Sequence, residues 1–292
     1  MPSFSEPRIV CRPALPSDTA DVLEFTKYIW EGHDYIHYVW KDWLADPHGL
    51  LVTAQFGAQA VGIAKVSLIS PGQWWLEGLR VDPKFQGLKI GSHLHKYTDG
   101  WWIKHGDGLI RLMTSSQRVQ VHHLSERTGY AKIGEVLGCR LDLPADDSQP
   151  PFQLVMPEEV SEALTFASAH LSHSNGLMDS GWRFSAPDET TLNDLARTGR
   201  LHWWRGRLGL LAAHEDEQDE GRVLAISFAA AHEPSLLSGL LRDTAGLAKQ
   251  QRFVYVHWLA PVNEPVREAL QQAGFFVDWD SSGYLYAKPH PG

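Results

Sequence analysis

The chain of 292 residues repeats itself at an offset of 145, and that repeat constrains the fold more than any single motif. Leu109-Ile110-Arg111-Leu112-Met113 falls on Val254-Tyr255-Val256-His257-Trp258, two short apolar runs that read as buried strands. The helical pattern closed by Gly129-Tyr130 falls on the one closed by Gly274-Phe275. Ser92 to His105 falls on Leu237 to Gln250, another helical pattern. Strand, helix and a Gly-aromatic stop recurring in one order indicate two copies of a single α/β unit, the second diverged.

The copies join at Pro144-Ala145-Asp146-Asp147-Ser148-Gln149-Pro150-Pro151, a stretch too rich in proline for a helix or a central strand. A first domain of residues 1–147 and a second of 148–292 follow, both of ordinary domain size. Residues 1–150 hold 15 basic and 17 acidic side chains, whereas 151–292 hold 11 and 18. The net charge of -9 therefore sits mainly in the second copy. Such acidity repels phosphate backbones and anionic headgroups, so neither nucleic acid nor a membrane surface is expected as a partner. Cys11 and Cys139 cannot make a disulfide framework and read as small buried apolar residues. No apolar run reaches the roughly 18 residues of a spanning helix. Met1-Pro2-Ser3-Phe4 lacks the basic start of a secretory signal, and a cytoplasmic location is expected. The twelve tryptophans include the pairs Trp74-Trp75, Trp101-Trp102 and Trp203-Trp204 and read mainly as packing.

The first copy alternates strands and helices. Arg8 to Arg12 reads as a strand, and Ser17 or Asp18 as the cap of a helix carrying Val22, Phe25 and Ile29. A second helix runs through Val39, Trp40, Trp43 and Leu44 to Asp46-Pro47. Three strands near 50–56, 60–69 and 73–81 form a meander broken by Gly57 and Pro71-Gly72. A helix with Ile90, Leu94, Tyr97 and Trp101 on one face starts at about Leu88. Strict alternation along the third strand sets Glu77, Leu79 and Val81 on one face and Gly78 and Arg80 on the other.

The most specific stretch runs Leu76-Glu77-Gly78-Leu79-Arg80-Val81-Asp82-Pro83-Lys84-Phe85-Gln86-Gly87-Leu88-Lys89-Ile90-Gly91. A strand ends at Asp82-Pro83 and a glycine-bearing turn leads into a helix. Amide groups at a helix start lack partners inside the helix and favour anions, and glycines let a pyrophosphate come close. The loop resembles the acyl-CoA-binding loop of the GCN5-related N-acetyltransferase (GNAT) superfamily, Gln/Arg-x-x-Gly-x-Gly/Ala after a V-x-P strand end. Gln86 and Gly91 fit the outer positions, while Lys89 stands where the family prefers its middle glycine. A narrower similarity, to histidine N-acetyltransferases with a degenerate second half, rests on Trp30-Glu31-Gly32-His33-Asp34-Tyr35-Ile36, Trp43-Leu44-Ala45-Asp46-Pro47 and Leu76 to Val81.

The resemblance implies an α/β (α+β) fold of two tandem acyl-CoA N-acyltransferase-like domains, the second degenerate. Each would hold a mixed, mainly antiparallel sheet flanked by helices. It implies acetyl-CoA as co-substrate and a small-molecule amine, with a free amino acid as one candidate acceptor. Glu77 would then take the amine proton, and main-chain groups of Leu79 and Val81 would pair with the pantetheine arm. Gln86, Gly87, Leu88, Lys89, Ile90, Gly91 and Ser92 would cradle the phosphates. Arg118 and Ser125 stand where the family often has an asparagine and a tyrosine proton donor, so Ser125, His122, His123 or solvent would protonate the thiolate, with Ser125 or solvent ranked first. Asp34, Tyr35 and Arg80 would meet the acceptor, Asp34 holding an ammonium and Arg80 a carboxylate.

The second copy keeps the asparagine as Asn263 but places Ala231-His232-Glu233-Pro234-Ser235-Leu236 at the loop position. Glu233 repels phosphate and Pro234 removes an amide, so no CoA is expected there. The acidic run Glu215 to Glu220 reads as a solvated hairpin tip. His33 and His37 share a metal-ligand spacing without a third ligand, so no metal is expected. Two other readings fit the departures from the family pattern: a non-catalytic acyl-CoA or amino-acid sensor, and a protein acetyltransferase that docks its target on the second copy. The sequence leaves the oligomeric state open.

Overall fold

The computed structural model describes residues 8–29, 32, 34–145 and 149–292. Trp30, Glu31, His33 and Asp146 to Ser148, all singled out above, lie outside the described residues. In the first half β1 (Ile9–Pro13), α1 (Thr19–Thr26), α2 (Ile36–Ala45), β2 (Leu50–Phe56), β3 (Gln59–Ser70) and β4 (Gln73–Val81) are followed by α3 (Ile90–His105), β5 (Leu109–Ser115) and α4 (Val119–Arg127). Strands β1 to β4 form an antiparallel meander, with β5 parallel to β4. Ile63 of β3 packs with Val22, Phe25, Trp40 and Trp43 of α1 and α2. Its neighbour Gly62 faces Ile90 and Leu94 of α3, so helices cover both faces of this sheet. Asp18 does not cap α1; its buried carboxylate takes two donors from Arg12, at 2.7 and 2.8 Å, and one from Thr53.

The second half continues with β6 (Ala131–Asp142), β7 (Phe152–Leu154), α5 (Val160–His170), β8 (Met178–Asp179), β9 (Phe184–Ser185), α6 (Glu189–Arg197), β10 (Leu201–Trp204), β11 (Gly209–Gln218) and β12 (Gly221–Ala231). Then come α7 (Leu237–Gln250), β13 (Tyr255–Pro261), α8 (Glu264–Ala273), β14 (Phe276–Val277) and β15 (Gly283–Pro289). Strands β7, β10, β11, β12, β13 and β6 are neighbours in that order. Trp203 joins the core under α5 and α6, whereas Trp204 joins the core under α7 and α8. Adjacent tryptophans thus serve opposite faces of one sheet, as strand alternation requires.

The repeat takes physical form in corresponding elements. The pair β4–β5 is parallel over Gln73–Trp75 and Leu109–Arg111, and the pair β12–β13 over Leu224–Ile226 and Val256–Trp258. Gly129 and Gly274 close their helices at φ of +90° and +91°, the left-handed conformation in which glycine carries no steric penalty.

Contacts do not divide the chain at residue 147. One compact unit comprises residues up to Leu112, Gln120–Ala131 and Ala287–Gly292; the other comprises Met113–Val119 and Lys132–Tyr286. Ladder pairing gives the reason. Strand β6 pairs with β13 over seven residues, Val136–Asp142, which draws it into the second unit. The last residues return to the first, where Lys288 reaches Asp99 at 2.8 Å and the His290 amide donates to Gly108. No helix among the described residues is long and apolar enough to cross a membrane.

Candidate active site

The first unit concentrates the candidate residues on β4 and its flanks. Because β5 pairs with β4 only through Trp75, the edge of β4 from Leu76 to Val81 has no strand partner on that side. Its ladder with β3 slips between Ile63 and Lys65, so Glu77 stands opposite Lys65 and Arg80 opposite Ile63. The slip is a bulge at Gly78, whose φ is +64°. A Cβ there would lie 2.5 Å from the Trp43 ring, so only glycine fits between strand and helix.

This bulge overturns the simple alternation expected along β4. Glu77 accepts a hydrogen bond from Ser67 Oγ at 2.6 Å, and Ser67 stands opposite Trp75. Arg80 reaches Asp34, just before α2. Glu77 and Arg80 therefore share the α2 face, while Leu79 and Val81 approach Gly91 at the start of α3. An extra residue on one strand reverses the phase of every side chain after it. The bulge brings the candidate base and the candidate acceptor residues to one side of the sheet.

Asp34 and Arg80, expected to hold opposite ends of an acceptor, hold each other. Arg80 Nε donates to Asp34 Oδ2 at 2.8 Å and Nη2 to Oδ1 at 3.3 Å. Their side chains are 11% and 1% exposed, so the pair is a desolvated one in which each charge depends on the other. Tyr35 lies under the guanidinium at 5.4 Å and meets Trp43 edge-on at 6.1 Å. Trp75 is buried on the Glu77 face, whereas Trp74 turns to α3, donates to Asp107 at 2.9 Å and meets Trp101 edge-on.

The loop after β4 starts with a short turn at Pro83–Phe85 in which Asp82 accepts from the Lys84 amide at 2.9 Å. Phe85 packs on Phe56 of β2, ring centroids 5.5 Å apart, which ties the loop to the sheet. Helix α3 begins at Ile90 rather than Leu88, with Lys89 at its N-cap in the left-handed region, φ 58° and ψ 21°. That conformation explains why a glycine suits this position, and Gly87 adopts it too at φ +86°. Among the described residues, the amides of 87–91 have no backbone acceptor, and the first helix bonds come from Ser92 and His93 to Lys89 O. Gln86, Gly87, Leu88 and Lys89 are exposed, as are Lys84 and Ser92. The chemistry of this turn fits the pyrophosphate of a CoA molecule: outward amides at a helix start flanked by two lysine side chains.

Two expected site residues lie on or just before α4. Ser125 of α4 is fully buried, and its Oγ has no hydrogen-bond partner among the described residues. Arg118 is exposed just before α4 and belongs by contacts to the other unit. Below α3 a buried cluster gathers His95, Asp99, Thr128, Tyr130 and Lys288. His95 Nε2 lies 2.8 Å from Thr128 Oγ1, and burial pushes its pKa down to about 4.

Sequence reasoning passed over Ser67, Lys65 and Arg111. Lys65 is buried and reaches Asp46 at the end of α2, and only strand register reveals that it faces Glu77. Arg111 stands opposite Trp75, is 6% exposed, and donates from Nη1 to Gln73 Oε1 at 3.1 Å. Its Nε has no partner and no carboxylate pairs with it among the described residues; burial lowers its pKa. A basic residue inside an apolar strand is the signal that could have marked it.

Comparison with known proteins agrees with this architecture. Residues 18–130 match the model of the Acetyltransferase (GNAT) family. No curated protein matches the chain by sequence. A GCN5-related N-acetyltransferase from Sphaerobacter thermophilus superposes with a TM-score of 0.68 at 14% identity, covering 97% of this chain and 96% of that one. A tandem GNAT protein from the clavulanic acid biosynthesis pathway gives 0.61 at 13%, covering 98% and 99%. An acetyltransferase of the GNAT family from Colwellia psychrerythraea gives 0.54 at 13%, covering 95% and 98%. The chain has the mixed α/β GNAT fold, and its residues 18–130 carry the match to the acetyltransferase family.

Proposed function

We propose that the first unit transfers an acetyl group from acetyl-CoA to the amine of a small molecule, with Glu77 as general base. The observation that carries this reading is the open edge of β4, running from beside Glu77 to the unpaired amides of residues 87–91. Those amides, with Lys84 and Lys89, would hold the pyrophosphate, and the β4 edge would pair with the pantetheine arm as an added strand. The acceptor nitrogen attacks the thioester carbon. An N–C bond forms, the C–S bond breaks, and Glu77 takes the amine proton directly or through one water. Solvent returns a proton to the thiolate, Ser125 being fully buried.

A free amino acid is the acceptor class this site favours. The support is Arg111, a guanidinium buried on the Glu77 face of the sheet and without a carboxylate partner among the described residues. An acceptor carboxylate would neutralise it, leaving Asp34 and Arg80 to hold Tyr35 in place. The similarity of Trp43 to Pro47 and Leu76 to Val81 to histidine N-acetyltransferases points the same way.

Thiol release from acetyl-CoA, measured with panels of amino acids, their carboxyl amides, simple amines and peptides, tests the proposal. Turnover with free amino acids and a KM about tenfold or more higher for the amides is expected. Arg111→Ala should erase that difference while leaving kcat for the amides unchanged. Turnover only with peptides would favour protein acetylation, and binding of acetyl-CoA without turnover would favour a sensor.

A further inference from the structure

The second unit contains a cavity of about 570 Å3 where its two parallel strands part. Beyond the three residue pairs that join β12 to β13, Ala231 and Pro261 line it. Its polar lining is rich in imidazole: His170 at the end of α5, His173 three residues on, and His232 after β12. The rings of His170 and His232 are 5.1 Å apart. His173 Nε2 is buried and makes no hydrogen bond among the described residues. The same residue lines a recess of about 20 Å3 among Phe184, Phe228, Trp258 and Leu285. Among the described residues, no lysine or arginine lines the cavity. Two other polar groups of the lining are already engaged. Glu135 of β6 accepts from Ser282 at 2.6 Å and Lys132 at 2.9 Å, and Asn263 donates to His173 O at 2.7 Å while capping α8.

A volume of this size suits a small molecule, and the missing fixed cations disfavour a nucleotide. We propose that this cavity binds a small amphipathic carboxylic acid, its carboxylate among His170, His173 and His232 and its short apolar tail toward Leu237 and Pro261. A phosphate-bearing ligand would meet Glu233 and Pro234 where the first unit offers amides and lysines. The tail meets apolar walls, and the narrow recess behind His173 admits about a methyl group.

Burial lowers the pKa of His170 and His173, and His232 lowers that of His170 further. Opposing this at His173 are the carbonyls of Ala229 and His170. Glu135 of β6 lines the cavity and is paired with Lys132, while Glu233 and Glu264 adjoin lining residues in the chain, in the loop after β12 and the first turn of α8. Burial therefore favours the neutral form of His170 and His173, and a carboxylate draws a proton in with it. Affinity rises as pH falls.

Isothermal titration of the full chain with sodium butyrate, at about pH 6 and about pH 7.5, tests this, with imidazole NMR to locate the response. One saturable site is expected, tighter at the lower pH and about tenfold weaker in His173→Gln. The exposed His232→Gln, which should not disturb folding, is expected to weaken binding as well. Absence of saturable binding, binding unchanged in both variants, or tighter binding of inorganic phosphate or CoA at these histidines would each overturn the proposal.

Discussion

Single residues set the chemistry of the first unit by their partners more than by their identity. Asp34 and Arg80 were legible as a carboxylate and a guanidinium near one site, but not as a pair, because they lie 46 positions apart. Breaking so buried a pair leaves an uncompensated charge, and Asp34→Asn should lower the free energy of urea unfolding by about 3 kcal/mol. A loss under about 0.5 kcal/mol, ordinary for a surface site, would show that the pair is solvated. His95 makes a second prediction at this scale. The unfolded chain takes up a proton at this residue near pH 6.5, whereas the folded imidazole stays neutral down to about pH 4. Its contribution is therefore whole above pH 6.5 and is lost as pH falls toward 4, reaching up to about 3 kcal/mol. His95→Gln should flatten the fall of Tm with pH over that window, and an unchanged slope would refute the assignment.

Elements were read well where the signal is local. The strands at 50–56 and 73–81 and the stops at Gly129 and Gly274 follow from periodicity and glycine chemistry. The bulge at Gly78 was not legible, because a glycine in a strand does not reveal its φ or the tryptophan opposite. Gly78→Ala adds both a strained φ and a clash with Trp43. Gly57→Ala, at φ +62° with open space around it, adds only the strain. Chemical denaturation should show Gly57→Ala about 1 kcal/mol less stable than the parent and Gly78→Ala about 3 kcal/mol less stable. Gly78→Ala should also lose turnover, since restored alternation would turn Glu77 and Arg80 to opposite faces. Equal losses for the two variants would contradict the close approach of Trp43.

At the scale of the whole molecule, the repeat predicts two related copies, and the chain groups into two compact units by its contacts. Strand partners are chosen across long separations, so β6 and the last six residues join units that chain order does not suggest. The division of labour was half visible. Glu233 and Pro234 told against phosphate in the second copy, yet the histidine-lined cavity needs His170, His173 and His232 assembled from two separate segments. The tryptophan pairs divide by face: Trp74 and Trp75 turn to opposite sides of the sheet, as do Trp203 and Trp204. Acetyl transfer in the first unit by way of Glu77 is the central inference. Its most direct test compares kcat for amine acetylation and Kd for acetyl-CoA between the parent protein and Glu77→Gln. The predicted result is a kcat lower by about a hundredfold or more, with Kd within about twofold of the parent. An unchanged kcat across pH, with acetyl-CoA bound equally well, would contradict the account.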